Sequence, residues 1–203
     1  MGEHPDLTEE VTSWVTEVAK IPVWAKMTPN ITNIREPALA AVAGGAVGIS
    51  AINTILSVIG VDLETLRPMP TVEGHCVPGG YSAQAVRPIA LRMVSQLALG
   101  LPQGVTISGI GGIENSHDAL EFMLLGSSTV QTCTGVMLQG VKMIDELKEG
   151  VEKFMTDKGF SSVEEIVGKS LSYFSTHMDL VQRMKAAKRS KAGEASRDKE
   201  WAQ

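Results

Sequence analysis

Residues 105–113 read Val-Thr-Ile-Ser-Gly-Ile-Gly-Gly-Ile, and residues 129–135 read Thr-Val-Gln-Thr-Cys-Thr-Gly. Each stretch is an apolar, β-branched run that breaks into glycine or a small hydroxyl residue before a helical pattern begins, which is typical of a buried strand followed by a helix. Glycine lets the backbone approach an anion closely, and free N–H groups at the start of a helix hold phosphate without a basic side chain. The pair therefore predicts a phosphate cradle; the alternative is two ordinary turns in which glycine only relieves crowding.

The composition is that of one globular core without a broad cationic surface. The chain has 203 residues, 43% of them hydrophobic, and 18 basic against 23 acidic side chains give a net charge of -5. This balance, with no basic, aromatic-rich stretch before the tail, excludes a nucleic-acid surface. No apolar run approaches the length of a membrane span, and residues 1–6 show no signal-peptide pattern. We therefore expect no membrane partner and a cytoplasmic location.

Four strand-and-helix units follow one another along the chain. Apolar runs predict strands over residues 23–27, 46–52, 105–108 and 129–133. Periodicity and capping predict a helix that carries Val11 to Val18, and further helices over residues 36–43, 87–99, 116–125 (capped at Ser116) and 136–158. Residues 53–83 show no sustained period, so they are interpreted as a long loop at the carboxyl end of the second strand.

Strands that alternate with helices predict a parallel α/β fold with right-handed crossovers. A closed (β/α)8 TIM barrel needs eight strands, and its phosphate cradle follows strands seven and eight. The chain therefore matches the C-terminal half of such a barrel, with about four βα units and additional C-terminal helices. A four-stranded doubly wound sheet is the competing architecture. We expect the half barrel to cover residues 1–160, a helical extension residues 161–184, and a charged tail residues 185–203 that is disordered or a solvated helix.

Polar residues at two strand ends are the candidates for ligand contacts. Lys26 ends the first strand among apolar neighbours, where it can pair with an anionic ligand or stabilise negative charge that develops on one. The alternative is a lysine that extends into solvent at the rim. Asn53 and Thr54 follow the second strand, and an amide beside a hydroxyl can hydrogen-bond the edge of an imide or lactam. Taken alone, such a pair is more often a turn.

Other reactive side chains receive less specific interpretations. Arg87 can bind an anion, but at a helix start it is more often a surface or inter-element charge. The four histidines have no carboxylate or cysteine partner at the spacing of a triad or a metal site, so no metal site is predicted. Cys76 and Cys133 form no CxxC pair, which indicates a reducing compartment. Cys133 precedes a helix start, a place that can make a thiol more reactive, but we expect a small core residue beside the phosphate turn.

Six collinear motifs resemble the flavin barrel of the dihydropyrimidine dehydrogenase family, which is related to dihydroorotate dehydrogenase. They are Trp24-Ala-Lys-Met-Thr-Pro-Asn-Ile-Thr32, Ala51-Ile-Asn-Thr54, Pro78-Gly-Gly-Tyr-Ser82, Ala85-Val-Arg-Pro-Ile-Ala-Leu91, Gly109-Ile-Gly-Gly-Ile113 and Val130-Gln-Thr-Cys-Thr-Gly-Val136. Enzymes of that family reduce uracil and thymine to their 5,6-dihydro forms with NADPH. The resemblance runs from about Leu7 to Arg183.

The resemblance implies a role for each matching position. Asn53 and Thr54 match positions that hold the pyrimidine edge. The remaining matches are FMN contacts: Lys26 faces the flavin ring, Ala83 stands where a backbone contact is usually made by glycine, Ile110, Gly111 and Gly112 form one phosphate turn, and Cys133 and Thr134 form the other. This cradle coincides with the one that the glycine pattern predicts.

The resemblance also implies parts that these residues do not supply. In the family, a loop upstream of the position of Met1 carries the general-acid cysteine, so no catalytic residue is assigned here and the chain alone is expected to be inactive. FAD, NADPH and iron–sulfur clusters belong to other modules of the family and need cysteine clusters. The expected partners are uracil or thymine and either an N-terminal half or a second copy of the chain. The alternatives are a dihydroorotate dehydrogenase-like oxidoreductase and a non-catalytic protein or fragment that binds a phosphorylated ligand.

Overall fold

The computed structural model describes residues 2–200, with side chains described as far as Lys188. The chain divides into two compact units, one ending at Leu171 and the other beginning at Ser172. The strands are β1 (Trp24–Met27), β2 (Gly48–Ala51), β3 (Ile55–Ser57), β4 (Gly60–Asp62), β5 (Arg67–Met69), β6 (Gly79–Tyr81), β7 (Thr106–Ile110) and β8 (Thr129–Gln131). The helices are α1 (Pro5–Val18), α2 (Arg35–Ala43), α3 (Arg87–Ala98), α4 (Ser116–Leu124), α5 (Thr134–Gln139), α6 (Met143–Lys158) and α7 (His177–Glu200). A 3₁₀ turn over Gln84–Val86 leads into α3.

The main sheet has four parallel strands in the order β1-β2-β7-β8. Each strand therefore pairs with the next main-sheet strand along the chain, and the order never reverses. A doubly wound sheet has a point at which the strand order reverses, and this sheet has none. The register aligns Lys26 with Ser50, Ser50 with Ser108, and Ser108 with Thr129.

The two faces of this sheet differ in character. Side chains alternate between faces along a strand, and one set, which includes Ile49 and Ile107, is buried in the core that contains helical residues such as Phe122. The opposite face is polar: the Gln131 Nε2 donates to the Ser108 Oγ at 2.7 Å and to the Ser50 Oγ at 3.0 Å. Parallel strands in chain order, with helices packed on one face of the sheet, match the arrangement of half of a (β/α)8 barrel. The structure confirms the predicted α/β half-barrel fold over the doubly wound alternative.

The segment between β2 and α3 is not the long loop that the sequence pattern predicts. It forms two antiparallel pairs, β3 with β6 and, nested between them in sequence, β4 with β5. The prediction was wrong because each strand has only three residues, too few to show a period. Pro68 within β5 further conceals the strand, because proline is tolerated in a sheet only at an edge. We call this segment, residues 53–83, the arm.

Smaller differences concern helix ends. The predicted helix over residues 136–158 is two helices, α5 and α6. Helix α4 is capped by Asn115, whose Oδ1 accepts the Asp118 N–H at 3.0 Å, and not by Ser116. The second unit contains α7, described as helix as far as Glu200, and residues 201–203 of the predicted tail lie outside the described residues. Among the helices that the structure describes, none is long and apolar enough to cross a membrane.

Candidate functional site

A cleft of about 160 Å³ lies at the carboxyl ends of the main-sheet strands. All of the residues predicted to contact cofactor or substrate line it: Lys26, Asn53, Thr54, Ala83, Ile110, Gly111, Gly112, Cys133 and Thr134. They come from the ends of every main-sheet strand and from the last residues of the arm. Pockets for small ligands usually measure roughly 300–1,000 Å³, so this cleft is smaller than a typical pocket of that kind.

Backbone hydrogen bonds just beyond the strands hold these ends together. The Asn53 N–H donates to the Met27 carbonyl at 2.8 Å, and the Ile52 N–H donates to the Ile110 carbonyl at 2.8 Å. Because these bonds extend the pairing past the last residues of β2, they place Asn53 between the ends of β1 and β7.

Lys26 is exposed and lines the cleft. Within the described part of the chain it forms no ion pair, and it is the one basic side chain among the lining residues, while Glu114 is the one acidic side chain. An ammonium group facing a cleft without a protein partner is available to an anionic or electron-rich ligand.

The first predicted phosphate turn, Gly111-Gly112, has a backbone that other residues cannot adopt without strain, with φ of 134° and 79°. A Cβ at Gly112 would lie 2.8 Å from the Ala83 carbonyl oxygen and 2.9 Å from the Arg87 Cβ. The glycines therefore do relieve crowding, as the simpler interpretation held. Their N–H groups, however, donate to no acceptor in the described part of the chain, so the turn also presents free donors at the cleft.

The second turn is tied to the first and to the arm. The Thr132 Oγ1 donates to the Ile113 carbonyl at 3.0 Å, and the hydroxyls of Thr134 and Ser82 are 3.0 Å apart. The N–H groups of Cys133 and Thr134 donate to no described acceptor. Cys133 is exposed, so the expectation of a small core residue was wrong: β8 ends at Gln131, before the cysteine, which lies in the turn.

Asn53 and Thr54 form a turn that is braced from outside. The Asn53 Oδ1 accepts the Thr54 N–H at 2.8 Å, whereas the Asn53 Nδ2 has no described acceptor. Asn30 holds the next residues in place, because its Nδ2 donates to the Thr54 carbonyl at 3.2 Å and its Oδ1 accepts the Leu56 N–H at 2.8 Å. The sequence analysis did not identify Asn30 as a residue of the site. The available signal was its position within the Trp24–Thr32 motif.

Ala83 adopts φ 69° and ψ -165°, a region that is populated almost entirely by glycine. This backbone explains why glycine is usual at the matching position of the family. Tyr81, Ser82 and Gln131 also line the cleft and were not predicted. Their signal was position, since all three lie in motifs of the resemblance.

One interpretation of a charged residue is confirmed and another is corrected. Arg87 contacts the buried Asp118 of another helix, so it is the inter-element charge that its position at a helix start favoured. His117 does have a carboxylate neighbour, since its Nδ1 lies 3.8 Å from the Glu121 Oε1 on the next helical turn. His117, Asp118 and Glu121 bring potential metal ligands within 4.8 Å of one another, but the guanidinium of Arg87 already occupies the Asp118 carboxylate.

Active sites of α/β-barrel enzymes lie at the carboxyl ends of the strands, and the cleft of this half barrel, lined by free amides and one lysine, occupies that place. The family model described as dihydroorotate dehydrogenase matches residues 1–155. The chain belongs to this family of flavin-dependent oxidoreductases.

Curated relatives carry two kinds of name. Dihydropyrimidine dehydrogenase (NADP(+)), chloroplastic, of Arabidopsis thaliana is 50% identical and aligns with 99% of this chain and 49% of its own length. The NAD-dependent dihydropyrimidine dehydrogenase subunit PreA of Escherichia coli K12 is 44% identical over 83% of this chain and 41% of its own. The dihydroorotate dehydrogenase B (NAD(+)) catalytic subunit of Pyrococcus abyssi is 43% identical over 84% of this chain and 55% of its own. The chain spans about half the length of these relatives.

Proposed function

We propose that this chain forms the C-terminal half of the FMN and pyrimidine site of an oxidoreductase that reduces uracil or thymine to the 5,6-dihydropyrimidine. The observation that carries the proposal is the convergence of two turns with free amides, one unpaired lysine and an amide–hydroxyl pair on a single cleft. The dihydropyrimidine dehydrogenases among the relatives support the choice of substrate.

The fit to FMN rests on the donors that face the cleft. The N–H groups of Gly111, Gly112, Cys133 and Thr134 are unpaired within the described chain, and such groups bind a phosphate without a basic side chain. Ile110 and the backbone of Ala83 complete this proposed cradle. Lys26 is the cation available to stabilise negative charge on a flavin ring. Bound FMN would supply hydride transfer, which no side chain provides.

The proposed substrate contacts are Asn53 and Thr54. The Asn53 Nδ2 and the Thr54 hydroxyl have no described partner, so they can donate to and accept from the edge of a neutral pyrimidine. We assign the general acid to a segment outside these residues, as the resemblance implies, because Cys133 belongs to the phosphate turn and Cys76 is not among the residues of the cleft. The rest of a barrel, or a second copy, is the proposed partner.

A dihydroorotate dehydrogenase-like activity is the second candidate, favoured by the family model and the archaeal relatives. Orotate carries a carboxylate that needs a cation near Asn53. Among the described residues of the cleft, Lys26 is the one cation, and the proposal assigns it to the flavin. This charge balance favours the neutral pyrimidine.

The test is titration of the purified 203-residue chain with FMN and with riboflavin, followed by addition of uracil or orotate to the flavin complex. We expect weak binding that favours FMN, and a flavin spectral shift with uracil that Asn53→Ala abolishes and that the control Asn33→Ala, outside the cleft, preserves. Equal affinity for FMN and riboflavin contradicts the phosphate cradle. A shift with orotate alone favours the second candidate. Stoichiometric FMN together with uracil reduction by a chemical donor contradicts the half-site proposal.

A further inference from the structure

A buried ion pair lies behind the first phosphate turn. Asp118, in the first turn of α4, is fully buried, and its Oδ1 contacts the Nη1 of Arg87, the first residue of α3. The Glu121 Oε2 lies 3.5 Å from the same nitrogen. Neither Arg87 nor Asp118 lines the cleft, so the pair is not a ligand contact.

The carboxylate of Asp118 also fixes the segment that follows the glycines. Its Oδ2 accepts the Glu114 N–H at 2.9 Å, and its own N–H donates to the Asn115 Oδ1 at 3.0 Å. Both oxygens of one buried carboxylate are therefore engaged, one by the guanidinium and one by the backbone of the turn. Because a buried charge is costly without such partners, the position of the turn and the ion pair depend on each other.

Arg87 also packs directly against the turn. A Cβ at Gly112 would lie 2.9 Å from the Arg87 Cβ and 3.0 Å from the Gln84 Cα. The turn is thus packed against the segment from Ala83 to Arg87, and the Arg87–Asp118 contact joins this segment to the start of α4. Movement of either residue displaces the backbone that carries the free amides of Gly111 and Gly112.

We propose that Arg87 and Asp118 are positioning residues for phosphate: their ion pair holds the Gly111-Gly112 amides in the direction that a phosphoryl group requires. This inference rests on the proposed function, since it takes FMN as the ligand. Donors that are already oriented lose little freedom when the ligand binds, so orientation contributes directly to affinity. The pair contacts neither β1 nor the Asn53–Thr54 turn in any described interaction, so it acts on the phosphate and not on the ring.

Riboflavin and FMN differ only in the phosphate, so the ratio of the riboflavin Kd to the FMN Kd measures the phosphate contribution. We expect Asp118→Asn to lower this ratio about tenfold, the equivalent of about 1.4 kcal/mol, with riboflavin affinity unchanged. Asp157→Asn is the matched control, because Asp157 forms an exposed ion pair with Lys153 on α6. A residue with a structural role alone would lower thermal stability but leave the ratio unchanged.

Asp118→Asn removes the carboxylate and leaves the Arg87 guanidinium without its buried counter-charge, which can prevent folding. Arg87→Lys therefore provides the second variant. Lysine keeps the charge without the planar fork, and we expect the ratio to fall about threefold. An unchanged ratio in a folded variant of either residue overturns the inference, as does an equal loss of affinity for both flavins. A ratio of one in the unmodified chain, or no binding of either flavin, contradicts the proposed function itself.

Discussion

The hydroxyl groups of Ser82 and Thr134 lie 3.0 Å apart and join the end of the arm to the second phosphate turn. Both residues line the cleft. A neutral hydrogen bond contributes about 1 kcal/mol, and this one fixes a turn whose amides we propose to bind phosphate. Through this contact, the arm contributes directly to the structure of the site.

We expect Ser82→Ala to weaken FMN binding by about fivefold, the equivalent of about 1 kcal/mol. Fluorescence titration measures the change, and Ser57→Ala, in β3 of the same arm, is the control. In a Thr134→Val background the Ser82 substitution has no further effect if the hydroxyl pair is the cause. Additive losses in the double variant contradict this explanation.

Ala83→Gly is expected to stabilise the protein by about 1 kcal/mol. Glycine removes the strain at φ 69°, which costs about 1–3 kcal/mol, and this gain exceeds the added entropy of the unfolded chain. The control is Ala85→Gly in the adjacent 3₁₀ turn, where glycine only destabilises. The free energy of unfolding in denaturant checks both, and a loss of stability in Ala83→Gly contradicts the strain.

Gly112→Ala is expected to destabilise the fold by about 3 kcal/mol or more, because the new Cβ meets backbone on a residue that already has positive φ. Gly104 has φ 94° but nothing within 4 Å of its ideal Cβ, so Gly104→Ala isolates the backbone strain, about 1 kcal/mol. Equal costs in denaturant unfolding would show that crowding at Gly112 is unimportant.

Lys26→Met is expected to lower the reduction potential of bound FMN by about 30 mV, because the negative charge of the reduced flavin loses a facing cation. A redox titration against a reference dye measures the potential. Lys20→Met, an exposed lysine after α1, removes the same charge outside the cleft. If the reduction potential is unchanged in Lys26→Met, the proposed contact between Lys26 and the flavin ring is wrong.

Lowering the pH is expected to destabilise the turn between β4 and β5, which begins at Asp62. The Asp62 Oδ1 accepts the Glu64 N–H at 2.9 Å and the Thr65 N–H at 3.3 Å, and these hydrogen bonds hold the pKa of Asp62 below its ordinary value. A lowered folded pKa means that this stabilisation is present above the unfolded pKa and is lost as pH falls through the folded one. Hydrogen exchange at Glu64 and Thr65 should accelerate in that range, and Asp62→Asn should remove the pH dependence. Exchange that follows pH equally in both proteins contradicts this cause.

The sequence was sufficient for the main sheet and for the location of the cleft, because both depend on local pattern. Apolar runs that end in glycine or a polar residue mark the carboxyl ends of parallel strands, and such ends meet at one edge. Lys26, Asn53 and Gly111 could therefore be predicted to lie together from their positions alone.

What could not be predicted depends on contacts between distant residues. Asp118 looks like an ordinary acidic residue in the first turn of a helix, and nothing in its own helix shows that it is buried against Arg87 of a different helix. The same holds for Asn30, whose partners Thr54 and Leu56 belong to the arm. The strands of the arm are also short, so pairing across the chain determines them more than their own residues do.

The strand order has a consequence for how the molecule folds. Each strand of the main sheet pairs with its neighbour along the chain, but because the strands are parallel each pairing must first close a long connection, as between Ser50 and Ser108, and such sheets form slowly. The arm separates β2 from β7 along the chain, but it pairs with itself in two nested antiparallel strand pairs. The entropic cost of closing a connection grows only with the logarithm of its length, so the half sheet can assemble strand by strand as a nascent chain emerges during synthesis.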